Sequence, residues 1–194
     1  MTAAEDAPGE VGDSSDPTLG RPVEGAPGAP PLLVPDQPFP PYRFVPGLAP
    51  HPFAHEGGWG HGQCRPPPPF LSRDAWRENR AYLLGRDYFN RGWWWEAHEV
   101  WEELWHVVEG KDAVQHDLLK GLIQLAACAL NRERASDKGA GRLLSSAEER
   151  LRHVQAEAGA EIVMGLDLAA LCRRAVEHLG SPTARVDGFY LDFC

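Results

Sequence analysis

Four residues of one short stretch have the types and spacing for chemistry: Glu96, His98, Glu99 and Glu102. In a helix His98 and Glu102 are four residues apart and lie on one face. A carboxylate at that distance can orient an imidazole and fix its tautomer. The same pair could supply two ligands to a divalent metal, with Glu99 or Glu96 as a second carboxylate. The plain alternative is a histidine at the edge of the core, satisfied by Glu102. A second histidine group, His51, His55 and His61, lies upstream in a Gly/Pro-rich segment. Imidazoles suit zinc, copper, iron or nickel, so His51 and His61 are candidate ligands that could complete a site with His98 and Glu102. No regular finger spacing supports them, and polar loop residues are the competing reading.

The helix carrying the first group is predicted from about Trp93 to Val108, ending at Gly110. At about 100° per residue, Trp93, Trp94, Ala97, Val100, Trp101, Leu104, Trp105 and Val108 fill one arc that must be buried. Glu96, Glu99 and Glu103 fall on the other side and read as solvated surface. His98 sits at the boundary beside Trp94 and Trp105. Five tryptophans within 13 residues are expected to be mostly core, and their N–H groups need partners when buried.

The next helix, about Ala113 to Arg134, is apolar around most of its circumference, so it should be the most buried. Asp117, Lys120, Gln124 and Asn131 form a narrow polar stripe on it. That stripe either faces water or faces the polar edge of the preceding helix. In the second case Asn90, Trp94, Trp105, Lys120, Gln124 and Asn131 would line a pocket around His98 and Glu102.

The remaining elements follow from composition. Seventeen of the 18 prolines precede Phe70, and an interior proline costs a helix about 3 kcal/mol. Helices are therefore expected only after that point. Residues 1–37 are acidic and rich in Pro and Gly, with little to bury, and read as a disordered tail. Residues 38–70 add aromatic residues and read as an extended arm packed on a domain; residues 71–194 form that domain. Within it a first helix is expected from a Ser72 cap to about Asn90, a fourth from about Lys138 to Ala156, and a fifth from near Asp167 to Leu179. Short connections favour antiparallel neighbours. The fold class is all-α, a compact bundle of about five helices with an apolar tail, Phe189 to Cys194, that docks on it.

Charge and cysteine content narrow the function classes. Of the formal −9, residues 1–41 carry −6, from seven acids and one arginine. No basic stripe is present, so nucleic acid is not an expected partner. No apolar run is long enough for a membrane span, and no signal-like h-region opens the chain, so membrane association is not expected and the expected compartment is cytoplasmic. Cys64, Cys128, Cys172 and Cys194 show no C-x-x-C spacing; Cys128 and Cys172 read as small core residues. A protein partner, a small molecule or a second copy of the chain all stay open.

Phe89-Asn90-Arg91-Gly92, then Trp95-Glu96-Ala97-His98-Glu99-Val100 and Glu102-Glu103-Leu104-Trp105, resemble the signature of domain-of-unknown-function family 309. Lys120-Gly121-Leu122-Ile123-Gln124-Leu125-Ala126-Ala127 resembles that family's second signature. The resemblance spans roughly Trp76 to Leu151. The arm from Tyr42 to His61 resembles an extension found in one branch. The resemblance implies a compact fold of helical hairpins and implies no activity. Asn90, Gly92, Glu96, His98, Glu99, Glu102, Trp105, Gly121 and Gln124 match its motifs. His106 stands where arginine is common, and Asn131 where histidine is common; asparagine cannot act as a base near neutral pH.

Two functions are in view. One is a binding or scaffold module in which the Glu/His/Trp set supports a ligand site or the core; it is preferred, because no H-E-x-x-H, nucleophile elbow or phosphate loop is present. The other is a metal-dependent or acid–base hydrolase using His98 and Glu102.

Overall fold

A computed structural model describes residues 29–181 and 188–193. Most of the expected tail, together with Cys194, lies outside the described residues. The chain forms a 3-10 helix (Arg73–Glu78), then α1 (Arg80–Phe89), α2 (Trp94–Val108), α3 (Ala113–Glu133), α4 (Asp137–Ala158), a two-stranded hairpin of β1 (Ile162–Val163) and β2 (Leu166–Asp167), and α5 (Leu168–Leu179). The architecture is helical, as the periodicity requires.

The bounds of α2 and α3 follow local signals. Gly92 (φ +75°) and Gly110 (φ +71°) flank α2 in the left-handed region that favours glycine. The Asp112 carboxylate accepts from Gln115 N at 3.1 Å and caps α3. Asp167 caps α5 in the same way, accepting from Ala170 N at 2.8 Å.

The predicted single helix from Ser72 is broken. Ser72 makes no capping bond, and Asn79 takes ψ 89°, outside the helical region. Its side chain accepts from Tyr82 N at 3.1 Å and starts α1 afresh. An Asn cap of this kind is worth about 1 kcal/mol. The β1–β2 hairpin was not expected. Its two-residue turn, Met164 and Gly165, holds both residues at positive φ. The Trp76 ring packs where a Gly165 side chain would stand, 2.5 Å from an ideal Cβ.

α3 is the central element, packed on α2 along one side and α4 along the other. Leu118, Leu119, Leu122, Leu125 and Ala126 are wholly buried, each large one contributing about 1.5–3 kcal/mol. α1 and α2 approach closely because residue 85 is glycine: a Cβ there would meet the Trp101 indole at 2.2 Å. Trp101 donates its N–H to Tyr82 O at 3.1 Å. The carboxylates of α2 are not its partner.

The arm packs on α1 and α2. Packing begins before Pro38: Val34 is buried, and Asp87 Oδ2 accepts from both Leu33 N and Val34 N at 2.8 Å. Arg86, paired with Asp87 at 3.0 Å, donates to Pro31 O and, from Nε, to Leu191 O. The C-terminal segment docks as expected, with Phe189 and Leu191 buried.

Candidate functional site

α2 presents two polar faces. The first carries His98, Glu99 and Glu102. His98 Nδ1 is 3.4 Å from Glu99 Oε1 and 3.9 Å from Glu102 Oε2. One potential ligand atom from each of the three lies within 4.8 Å of the others, and this is the one such group of three among the described residues. All three side chains are partly buried, yet the Nδ1 atom itself is buried and has no hydrogen-bond partner. A buried ring nitrogen without a partner costs stability, so it calls for an explanation such as an ion or water.

The spacing fits a cation. Ligand atoms bound at 2.0–2.2 Å stand about 3–3.5 Å apart in tetrahedral or octahedral geometry, close to the two separations found. The i, i+4 relation of His98 and Glu102 comes from helix geometry alone. Glu99, adjacent in sequence, reaches the same nitrogen through its longer side chain.

One turn further along α2, Trp105 joins the edge to α3. It stacks on His116 at 4.7 Å between ring centroids, and Lys120 Nζ lies 4.3 Å from the Trp105 centroid. Lys120 therefore faces α2. Trp105 Nε1, His116 Nε2 and Gln124 Oε1 are buried without partners. Asp117, from the same predicted stripe, turns the other way and pairs with Arg150 of α4. The stripe divides between two neighbours and does not face a single pocket.

The second face lies under the arm and corrects an expectation. Glu96, read from the helical wheel as solvated, is 3% exposed. Its Oε1 accepts from Phe44 N at 2.7 Å, and its Oε2 has no partner. The wheel compares residues of one helix and knows nothing of a distant segment that covers it. Burial pushes the Glu96 carboxyl up to about 7; the Phe44 amide and the Arg43 guanidinium offset part of this, and the Glu99 charge adds to it. Tyr88 is pushed up to about 12, by burial first and then by the charge of Glu96. Burial also raises Glu103, against the opposing pull of Arg65.

A small cleft opens between arm and helix, lined by Phe53, Trp59, Tyr88, Trp95, Glu96 and Glu99 among others. Arg65 reaches across it, with its guanidinium 4.8 Å from the Phe53 ring centroid and its Nη2 2.8 Å from Glu103 Oε1. Arg43 fastens the arm further along, donating to Gly92 O at 3.1 Å and pairing with Glu133. Neither arginine stood out in the sequence. Each is a lone basic residue among prolines, and its acidic partner lies 90 residues away for Arg43 and 38 for Arg65.

Other expected site residues fall elsewhere. His51 and His61 do not join the group at His98. His51 Nδ1 accepts from Phe53 N and Ala54 N at 3.2 Å each, and its ring packs on Phe44 and Trp95. His61 Nδ1 lies 3.2 Å from Phe53 O. Asn90 is 2% exposed, and its amide both donates to and accepts from Leu191, at 3.0 and 2.7 Å. It clamps the C-terminal segment. Trp94 is buried, with the Arg43 guanidinium 5.9 Å from its ring. Asn131 sits at the end of α3, packed near Gly139 of α4.

No described helix is long and apolar enough to cross a membrane. No curated protein matches the chain. Residues 82–143, from α1 into the start of α4, match the model of the family described as Domain of unknown function (DUF309).

Proposed function

We propose that this domain is a binding module whose ligand is a divalent cation, held at the α2 edge by His98, Glu99 and Glu102. The observation that carries the reading is the buried, unpartnered His98 Nδ1 between two carboxylate oxygens at 3.4 and 3.9 Å. One imidazole and two carboxylates make a borderline-to-hard donor set, suited to zinc, manganese or iron. Trp105, one turn on, packs against Lys120 of α3.

The test is calorimetric. Metal-free protein is titrated with Zn²⁺ and Mn²⁺, beside His98→Ala and Glu102→Gln. The reading expects one ion per chain, lost in both variants while helical circular dichroism is kept. Failure of the unaltered chain to bind either ion sinks it.

A metal-dependent hydrolase using His98 and Glu102 is the second reading. What favours it is the ligand count: three protein ligands would leave coordination positions open on a bound ion. Metal-dependent turnover of a simple ester or phosphoester, lost in His98→Ala, would raise it above the first.

A further inference from the structure

The cleft between the arm and α2 has a composition that the family match does not explain and of which the metal site uses only Glu99. Phe53 and Trp59 meet edge to face at 5.3 Å, and Phe53 and Trp95 lie 5.9 Å apart. Tyr88 adds a fourth ring. Glu96 and Glu99 place two carboxylates among these rings. Glu96 is 3% exposed, and its Oε2 lacks a partner. Aromatic faces carry negative potential, and carboxylates add to it, so this is an environment for a cation.

One cation is already there. Arg65 lines the cleft, lies over the Phe53 ring at 4.8 Å and pairs with Glu103 at 2.8 Å. Both members of that ion pair are about 40% exposed, at 39% and 40%. Exposed pairs of this kind contribute roughly 0–1 kcal/mol, so the clamp on Arg65 is weak. The rings and the buried carboxylate, by contrast, are fixed by the packing of α2 and the arm.

We infer that the arm–α2 cleft is a recognition site for an alkylguanidinium group, with Arg65 as a built-in occupant that a guanidinium supplied by another molecule displaces. Arg65 sets the ligand chemistry: a planar, weakly hydrated cation that stacks on an aromatic face while donating to carboxylates. Being tethered, Arg65 competes at a high effective concentration. The unaltered chain should therefore bind such a ligand weakly, and removal of Arg65 should expose the intrinsic affinity. The inference shares Glu99 with the divalent-cation reading but not Glu96, Phe53 or Arg65, and work on the metal-free chain separates the two.

The experiment uses the full chain, metal-free, with methylguanidinium as the probe and tetramethylammonium and potassium chloride as controls. Binding is read from the indole NMR signals of Trp59 and Trp95. Arg65→Ala is expected to bind methylguanidinium roughly tenfold or more tighter than the unaltered chain, with Trp59 and Trp95 shifting and the indole of Trp101 unmoved. Phe53→Leu added to Arg65→Ala is expected to abolish that gain, since Phe53 is the ring the guanidinium covers. Arg65→Met keeps the stem's packing and takes the place of Arg65→Ala if the latter loosens the arm. Equal affinities with and without Arg65 overturn the inference. So does a response to potassium chloride as large as that to methylguanidinium, since that is screening and not recognition. A preference for tetramethylammonium overturns the assignment of a guanidinium.

Discussion

Substituting Glu96 by glutamine removes a titrating group from a buried place without changing its shape, and the stability difference should depend on pH in a definite direction. In the folded chain the carboxyl titrates near 7, against an ordinary value of 4.5. A group whose folded pKa is raised contributes stability that is fully present below its unfolded value and is lost as pH rises through the folded one. The window is therefore about pH 4.5 to 7 and just above. The separation of about 2.5 pH units corresponds to about 3 kcal/mol at 1.36 kcal/mol per unit. Glu96→Gln keeps an oxygen to accept from Phe44 N and does not titrate. The comparison is urea unfolding of both proteins at a series of pH values from 4 to about 8.5, where the other groups cancel in the difference. Near pH 4 the two should be alike; by pH 8 the variant should be the more stable by roughly 2–3 kcal/mol. A difference that stays flat with pH, or that moves in favour of the unaltered protein as pH rises, refutes the reasoning. Either outcome would mean that the Phe44 amide and Arg43 outweigh burial.

Two further outcomes test the scaffold around the site. Asp87→Asn leaves Arg86 buried without its counter-charge and weakens the acceptor for Leu33 N and Val34 N; a stability loss of roughly 3–5 kcal/mol, with faster amide exchange at those two positions, is expected, and an unchanged unfolding midpoint would contradict it. Cys128 is buried, and burial pushes its thiol up to about 11, while Cys64 is exposed. Under native conditions at neutral pH a thiol reagent should therefore label Cys64 promptly and Cys128 only on unfolding, and mass spectrometry of the labelled peptides decides it.

The limits of α2 and α3 were readable because the causes are local: glycines at positive φ, an aspartate cap, and an apolar arc repeating every 3.6 residues. The approach of His98 to Glu102 was readable for the same reason, since a helix sets the i, i+4 distance by itself. The apolar circumference of α3 pointed to the most buried helix; a larger share of the shorter α1 is buried, and α3 is instead the element that packs on both α2 and α4. Three features had no such local cause. The break at Asn79 depends on a cap that only one of two nearby candidates makes. The hairpin depends on Trp76 packing against Gly165, 89 positions later in the numbering. Asn90 looked like a pocket residue because nothing near it in sequence points to Leu191, 101 residues away.

Sequence alone, then, determined which residues of α2 share a face, because the backbone of one helix dictates that without reference to the rest of the chain. It did not determine what each face meets. The side bearing Glu96 became buried because an arm about 50 residues upstream lies across it, held by the Phe44 amide, Arg43 and Arg65. The side bearing His98 is partly open, and further along it Trp105 packs on His116 and Lys120 of α3. Two glutamates three residues apart, alike in the sequence, thereby acquire different chemistry. Glu96 is desolvated and titrates near neutral; Glu99 borders both the imidazole and the cleft. Solvent exclusion is a property of the assembled surfaces, and only tertiary packing decides it.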